Sequence, residues 1–126
     1  MQENRSLKLW QKTHRLTLNV YKLSAAFPRE EVYGLTSQIR RASVSIGANI
    51  AEGCCRKGDC ELGRFLQIAM GSASELEYES LLANDLGILQ PPDYLRLSSE
   101  VVEIKRMLAA LIGKLRAGGV GLKADS

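Results

Sequence analysis

The chain has one histidine, three cysteines, three prolines and only 6% aromatic residues in 126 positions. The single histidine, His14, has no nucleophile near it in sequence, so nothing suggests Ser-His or Cys-His catalysis. The Glu-x-x-His pattern of di-iron bundles is absent, and the glycines form no phosphate-binding loop. No apolar run reaches the ~18 residues that a membrane span requires. The opening MQENRSLKLWQK lacks the apolar centre of a signal peptide. There is no strand-like alternation and no internal repeat. These absences predict a cytosolic, non-enzymatic protein with no cofactor, no membrane contact and no small-molecule substrate.

What is present suits a globular fold: 45% of residues are apolar and 25% are charged. The length fits one domain with a single core, expected over 1–117, followed by a flexible tail over 118–126. Apolar residues recur at spacings of three and four, which is the period of a helix face. Leu9, Thr13, Leu16, Val20, Leu23 and Phe27 predict a first helix over 8–26. Pro28 stops it, and Glu30 and Glu31 favour a helix start just beyond. Leu35, Ile39, Ala42, Ile46 and Ile50 predict a second helix, with Gly53 as its left-handed terminus. A third is expected over 60–86, where Leu62, Phe65, Leu66, Ala69, Ala73, Leu76 and Ala83 share one face, with Asp59 as its N-cap and Gly87 closing it. Its small residues Ala69, Gly71, Ser72, Ala73 and Ser74 predict close approach of a neighbouring helix. Tyr94, Leu97, Val101, Ile104, Leu108, Leu111 and Leu115 form the longest unbroken series and mark a fourth helix. Short connections between four helices predict an all-α, antiparallel up-down-up-down bundle.

Two helices carry more apolar or small residues than one core needs. In the second, Arg40, Val44, Ala48 and Ala51 lie opposite the core stripe. Either they tolerate solvent or they contact another subunit. In the fourth, Leu95, Val102, Ala109 and Ile112 add a neighbouring strip.

The net charge of +3 permits a polyanionic partner without requiring one. Its distribution is uneven. Arg5, Lys8, Lys12, Arg15 and Lys22 precede Pro28 with only Glu3 against them. Between Phe65 and Leu95 there is no Lys or Arg, while Glu75, Glu77, Glu79, Asp85 and Asp93 fall there. Lys8, Lys12, Arg15 and Lys22 line one flank of the first helix, and Trp10, His14, Thr17 and Tyr21 line the other. The basic line reads either as a solvated face or as a stripe for nucleic-acid phosphates. Cys54, Cys55 and Cys60 sit in one connection. Their spacing is not the C-x-x-C of zinc sites, and their odd number makes reduced thiols the expectation.

Five stretches also carry a resemblance. They are LWQK (9–12), FPREEVYGLTSQIRRASVSI (27–46), NIAEG (49–53), RFLQIAMGSASELE (64–77) and LGIL (86–89). In this order and spacing the chain resembles the bacterial four-helix bundle proteins encoded in intervening sequences of large-subunit ribosomal RNA genes. The resemblance implies a small antiparallel bundle assembled into a homo-oligomeric ring, commonly a pentamer. It also implies kinship with the accessory variability protein of diversity-generating retroelements, which works with nucleic acid. On that basis the partners expected are other copies of the chain and RNA or DNA, with a protein-binding adaptor as the alternative. The matching residues are Tyr33, Gly34, Leu35, Thr36, Gln38, Arg40, Arg41, Asn49, Glu52, Gly53, Arg64, Phe65, Gly71, Ser72, Glu75, Leu76 and Glu77. They read as fold and assembly residues. Arg40 and Arg41 join the basic line as candidate nucleic-acid contacts. Val44, Ala48, Ala51, Glu75 and Glu77 are candidate interface residues, with Arg40 or Arg41 meeting Glu75 or Glu77 within or between subunits. The sequence departs from the family pattern at Cys54, Cys55, Cys60 and Gly63.

Overall fold

In the computed structural model, which describes residues 4–118, four helices follow one another: α1 (Asn4–Ser24), α2 (Leu35–Cys54), α3 (Asp59–Asp85) and α4 (Pro91–Gly118). A 3-10 turn at Arg29–Glu31 lies between α1 and α2. No strand occurs among the described residues. Each helix packs on its neighbours in chain order and α4 closes back on α1, while the backbones of the diagonal pairs stay further apart. Neighbours run antiparallel. The Arg40 side chain, early in α2, bonds Ser24 at the end of α1, whereas Gly47 lies beside Thr13, half-way back along α1. This is the up-down-up-down bundle that the periodicity implies.

The core is built from the expected series. Leu9, Leu16 and Val20 of α1, Ile39, Ile46 and Ile50 of α2, Leu62, Leu66 and Leu76 of α3, and Leu97, Ile104 and Leu108 of α4 are its largest fully buried side chains. Leu23, Phe27, Tyr94 and Leu115 pack against its edges. The α2–α3 interface is the most extensive. Small side chains line it: Ala42 of α2 and Ala69, Ser72 and Ala73 of α3 are all buried. The Ser45 and Ser72 hydroxyls meet there at 2.8 Å. In such a core, Leu66→Ala costs about 2–5 kcal/mol, because the lost contacts are not recovered by collapse.

The helix ends depart from expectation at several points. α1 begins at Asn4, four residues before Lys8, because buried Ser6 extends its inner seam by a turn. It ends at Ser24, and Phe27 N–H bonds back to Ser24 in a tightened last turn. At the start of α2, Leu35 N–H donates to Glu31 Oε1 at 3.1 Å. A Cβ on Gly34 would lie 3.0 Å from that oxygen and would push the carboxylate back by a few tenths of an ångström. Gly53 is not a left-handed terminus. It is helical and buried, and α2 continues to Cys54. The left-handed residue of this connection is Gly58, at φ 90°. Asp59 is the first residue of α3 rather than its N-cap, which is Gly58. Gly87, at φ 75°, does close α3, with Ile88 N–H reaching back to the Ala83 carbonyl at 2.9 Å. Gly71 faces open space and is not a point of close packing. α4 runs one residue past Ala117, and the rest of the expected tail, 119–126, lies outside the described residues.

Candidate functional site

The six cations expected to contact nucleic acid are divided among three surfaces. Lys8, Lys12 and Arg15 line a groove between α1 and α4 of about 390 Å³, together with Gln11, Glu103 and Met107. Lys12 Nζ lies 3.1 Å from Glu103, and Asn19 Nδ2 donates to Glu100 Oε1 at 3.2 Å. The acids of α4 therefore partly neutralise the basic line. Lys22 lies on the same flank but near the other end of α1. Arg40 belongs to the α1–α2 side. Its Nε donates to Ser24 Oγ at 2.7 Å and its guanidinium sits 4.7 Å over the Tyr21 ring. Arg41 lies in the cleft between α2 and α3, with Nη2 donating to Ser37 Oγ at 3.1 Å.

A larger basic surface arises from the topology. The antiparallel arrangement brings the starts of α1 and α3 and the ends of α2 and α4 to one end of the bundle. That end gathers Arg5 and Lys8 from α1, Arg56 and Lys57 after α2, Arg64 from α3, and Lys114 and Arg116 from α4. Its acids among the described residues are Glu52, Asp59 and Glu61. Glu61 pairs with Arg64 at 3.2 Å and Glu52 with Arg56 at 2.5 Å. Arg56 and Arg64 also flank the Phe65 ring at 5.3 and 4.8 Å. The far end, with Glu30, Glu31, Asp85 and Asp93 beside Lys22, Arg29, Arg40 and Arg96, carries no such excess. Residues from four separate segments make up the basic end. No local pattern announces it, because these cations meet only where the antiparallel topology brings four helix termini together.

Two apolar faces lie on opposite sides of the cycle. On the α1–α2 side, Leu7, Trp10, Leu18, Tyr21 and Val44 are exposed, and Ala48 and Ala51 are exposed beside them. The Trp10 and His14 rings stack there at 5.1 Å. Thr17 points inward from this flank, with Oγ1 donating to the Thr13 and Ser43 carbonyls. On the α3–α4 side, Tyr78, Leu81 and Leu95 are exposed, the last at 64%. Val102 and Ala109 line a cleft of about 350 Å³ there with Met70, Glu77, Lys105 and Arg106. Ile112, expected in this strip, is instead buried in the core. The two candidate interface glutamates part company: Glu77 turns to α4 and accepts from Lys105 Nζ at 2.7 Å, while Glu75 lines the α2–α3 cleft. Neither Arg40 nor Arg41 forms an ion pair with them within the described chain.

The α2–α3 cleft, about 400 Å³, is the polar one. Gln38, Arg41, Ala42 and Ser45 line it from α2, and Glu75 and Glu79 from α3. Asn49 Nδ2 donates to the Ser45 carbonyl and hydroxyl at its margin. Glu79 is 6% exposed, and its Oε1 has no hydrogen-bond partner. Burial pushes its carboxyl up to about 7, and the neighbouring Glu75 charge adds to this while Arg41 opposes it.

None of the three thiols forms a disulfide. Cys55 and Cys60 are exposed, while Cys54 is half-buried, and burial pushes its thiol up. No cluster of three or more His, Cys, Asp or Glu side chains suited to a metal occurs among the described residues, and no helix there is long and apolar enough to cross a membrane.

Against solved structures, the chain is similar to a protein of unknown function of the S23 ribosomal protein family from Bacteroides thetaiotaomicron VPI-5482. The two share 24% identity, and the alignment covers 86% of this chain and 98% of that one at a TM-score of 0.81. At that identity the likeness establishes the fold. No curated protein matches. The family model described as 23S rRNA-intervening sequence protein matches residues 5–110, nearly the whole bundle. The chain belongs to that family.

Proposed function

We propose that this protein is a non-enzymatic, cytosolic bundle that assembles into a ring of identical subunits and offers its basic end to the backbone of RNA or DNA. The observation that carries the nucleic-acid reading is the gathering of Arg5, Lys8, Arg56, Lys57, Arg64, Lys114 and Arg116 at one end of the bundle. Phosphate contacts are electrostatic and additive, so cations grouped on a rigid surface bind a polyanion more tightly than the same cations scattered. Lys8 joins this end to the α1–α4 groove, where Lys12 and Arg15 extend the positive surface along the bundle.

The apolar faces support the ring. They differ from one another and lie on opposite sides of the bundle. A contact between two different faces is head-to-tail, and such contacts close into rings when the rotation allows. In a ring with bundle axes side by side, every basic end lies on the same surface, and a weak site gains strength through repetition. Five subunits is the expected number. The α1–α4 and α2–α3 grooves stay open, one inside and one outside. Exposed apolar area also suits a protein partner, which is the competing reading.

The test is a titration of labelled structured RNA and duplex DNA against the wild type and two variants. One carries Lys57→Glu and Arg116→Glu at the basic end, and the other carries Lys12→Glu and Arg15→Glu in the groove. The proposal expects salt-sensitive binding that the end variant weakens strongly and the groove variant weakens less. Absence of binding even at low salt sinks the nucleic-acid reading and leaves the adaptor.

A further inference from the structure

We infer that the α2–α3 cleft is a binding site for an organic cation bearing N–H donors, a guanidinium or a primary ammonium, with the Glu79 carboxyl as its anchor and Glu75 as its second acceptor. This goes beyond the assembly and nucleic-acid readings, lies on a different surface, and does not depend on either.

The cleft has room and unmet demand. Its volume of about 400 Å³ exceeds what one alkylguanidinium or alkylammonium needs. Glu79 lines it, is more than nine-tenths buried, and has an oxygen without any hydrogen-bond partner. A buried carboxyl in that condition costs free energy until a donor reaches the group. Several of the surrounding donors are turned elsewhere. Arg41 bonds Ser37 through Nη2, and the Ser45 and Ser72 hydroxyls bond each other. Asn49 is turned to Ser45.

Charge selects the ligand class. Two carboxylates, Glu75 and Glu79, face one guanidinium, Arg41. With both acids ionised the cleft carries one net negative charge, so a ligand of charge +1 neutralises it and an anion is repelled. A divalent metal finds only two acidic side chains here, and no third His, Cys, Asp or Glu completes a ligand set among the described residues. An organic cation fits better, because its N–H groups satisfy carboxylate oxygens through charge-assisted hydrogen bonds. A guanidinium adds planarity: its parallel N–H pair matches the two oxygens of one carboxylate. The Gln38 side-chain carbonyl supplies a further neutral acceptor on the cleft wall.

Binding is linked to protonation. Glu79 titrates at about 7, with Glu75 on its own helix and Arg41 on α2 as the charged neighbours lining the cleft. A cation binds the ionised form better. Occupation near pH 6 therefore releases a proton, and affinity rises with pH through 7.

The probes are agmatine, which carries both a guanidinium and an ammonium, and putrescine, which carries ammonium groups alone. Tetramethylammonium serves as a cation without N–H donors, and N-acetyl-arginine amide represents an arginine side chain from a partner protein. Isothermal titration of the full chain at pH 7.5 measures each. Agmatine or the arginine amide binding while tetramethylammonium does not supports the inference, and which of the two binds more tightly separates a free cation from a protein side chain as the source. Glu79→Gln then weakens binding on the order of tenfold or more, since a charged acceptor becomes neutral. Glu77→Gln, on the α4 side of the same helix, leaves it unchanged. If none of the probes binds at millimolar concentration, or Glu79→Gln binds as well as wild type while folded by circular dichroism, the inference is overturned.

Discussion

Gly53 and Phe65 meet so closely across the turn between α2 and α3 that a Cβ built on Gly53 would lie 2.9 Å from the Phe65 Cβ and 3.1 Å from Leu62 Cδ1. Neither neighbour gives way easily. Leu62 is buried, and the Phe65 Cβ is fixed to its backbone. Gly53→Ala is therefore expected to destabilise the bundle by about 1–3 kcal/mol, the range for overpacking. Gly71→Ala is the matched control. Its Cβ meets nothing within 4 Å, so the substitution is expected to stabilise the chain by up to about 1 kcal/mol through helix propensity. Urea denaturation of both variants checks the pair.

The cap on α2 gives a second expectation. Glu31 Oε1 satisfies the Leu35 N–H, one of the donors that a helix start leaves without a partner. Glu31→Ala removes it and should cost about 0.5–2 kcal/mol, the usual worth of a side-chain cap. Glu31→Gln keeps an acceptor and should cost less. Thermal melts rank the two.

Head-to-tail assembly has a signature that a two-fold contact lacks. Val44→Glu spoils the α1–α2 face and leaves the α3–α4 face intact, and Leu95→Glu does the reverse. Both positions are exposed, at 45% and 64%, so each monomer should keep its stability to within about 0.5 kcal/mol. Each variant alone should remain monomeric by light scattering. Mixed, the two should form a one-to-one dimer and nothing larger, because only one complementary pair of faces survives. A mixture that stays monomeric contradicts this interface pairing.

Stability should depend on pH through Glu79. Its carboxyl titrates at about 7 in the fold, against an ordinary value of 4.5. Between these values the folded chain holds more protons than the unfolded chain, so this contribution is full below 4.5 and is lost as pH rises through 7. Denaturant midpoints measured from pH 5 to 8 should fall with rising pH in the wild type. Glu79→Gln, which cannot ionise, should flatten that dependence.

The core was readable from spacing because, Leu89 in the α3–α4 connection and Ile112 apart, its large buried residues sit in the expected three-four series, and helix burial follows that period whatever the tertiary detail. The strip Val44, Ala48 and Ala51 was readable for the same reason and is exposed as the period requires. Gly53 was not. The same residue type serves a left-handed turn and a close helix contact, and which one applies depends on Phe65, twelve positions away. The basic end was hidden for a related reason, since its cations come from four segments that meet only once the bundle closes. The six expected nucleic-acid contacts follow helix flanks in the sequence, and the fold sorts them instead by which neighbour each flank meets: α4 for Lys12, Ser24 of α1 for Arg40, the α2–α3 cleft for Arg41. Glu79 stood in the sequence as one acid of a run. Its isolation comes from packing against α2, and no spacing within α3 encodes that.

The most direct measurement is the salt dependence of RNA binding by the assembled wild type and by the Lys57→Glu, Arg116→Glu variant. The logarithm of the association constant should fall linearly with the logarithm of salt concentration, and the variant should lose about 0.7–0.9 of slope for each phosphate contact removed. A shallower slope together with weaker binding, at unchanged assembly mass, is the expected result. Equal slopes in the two proteins, or wild-type binding insensitive to salt, would contradict a role for the basic end in holding nucleic acid.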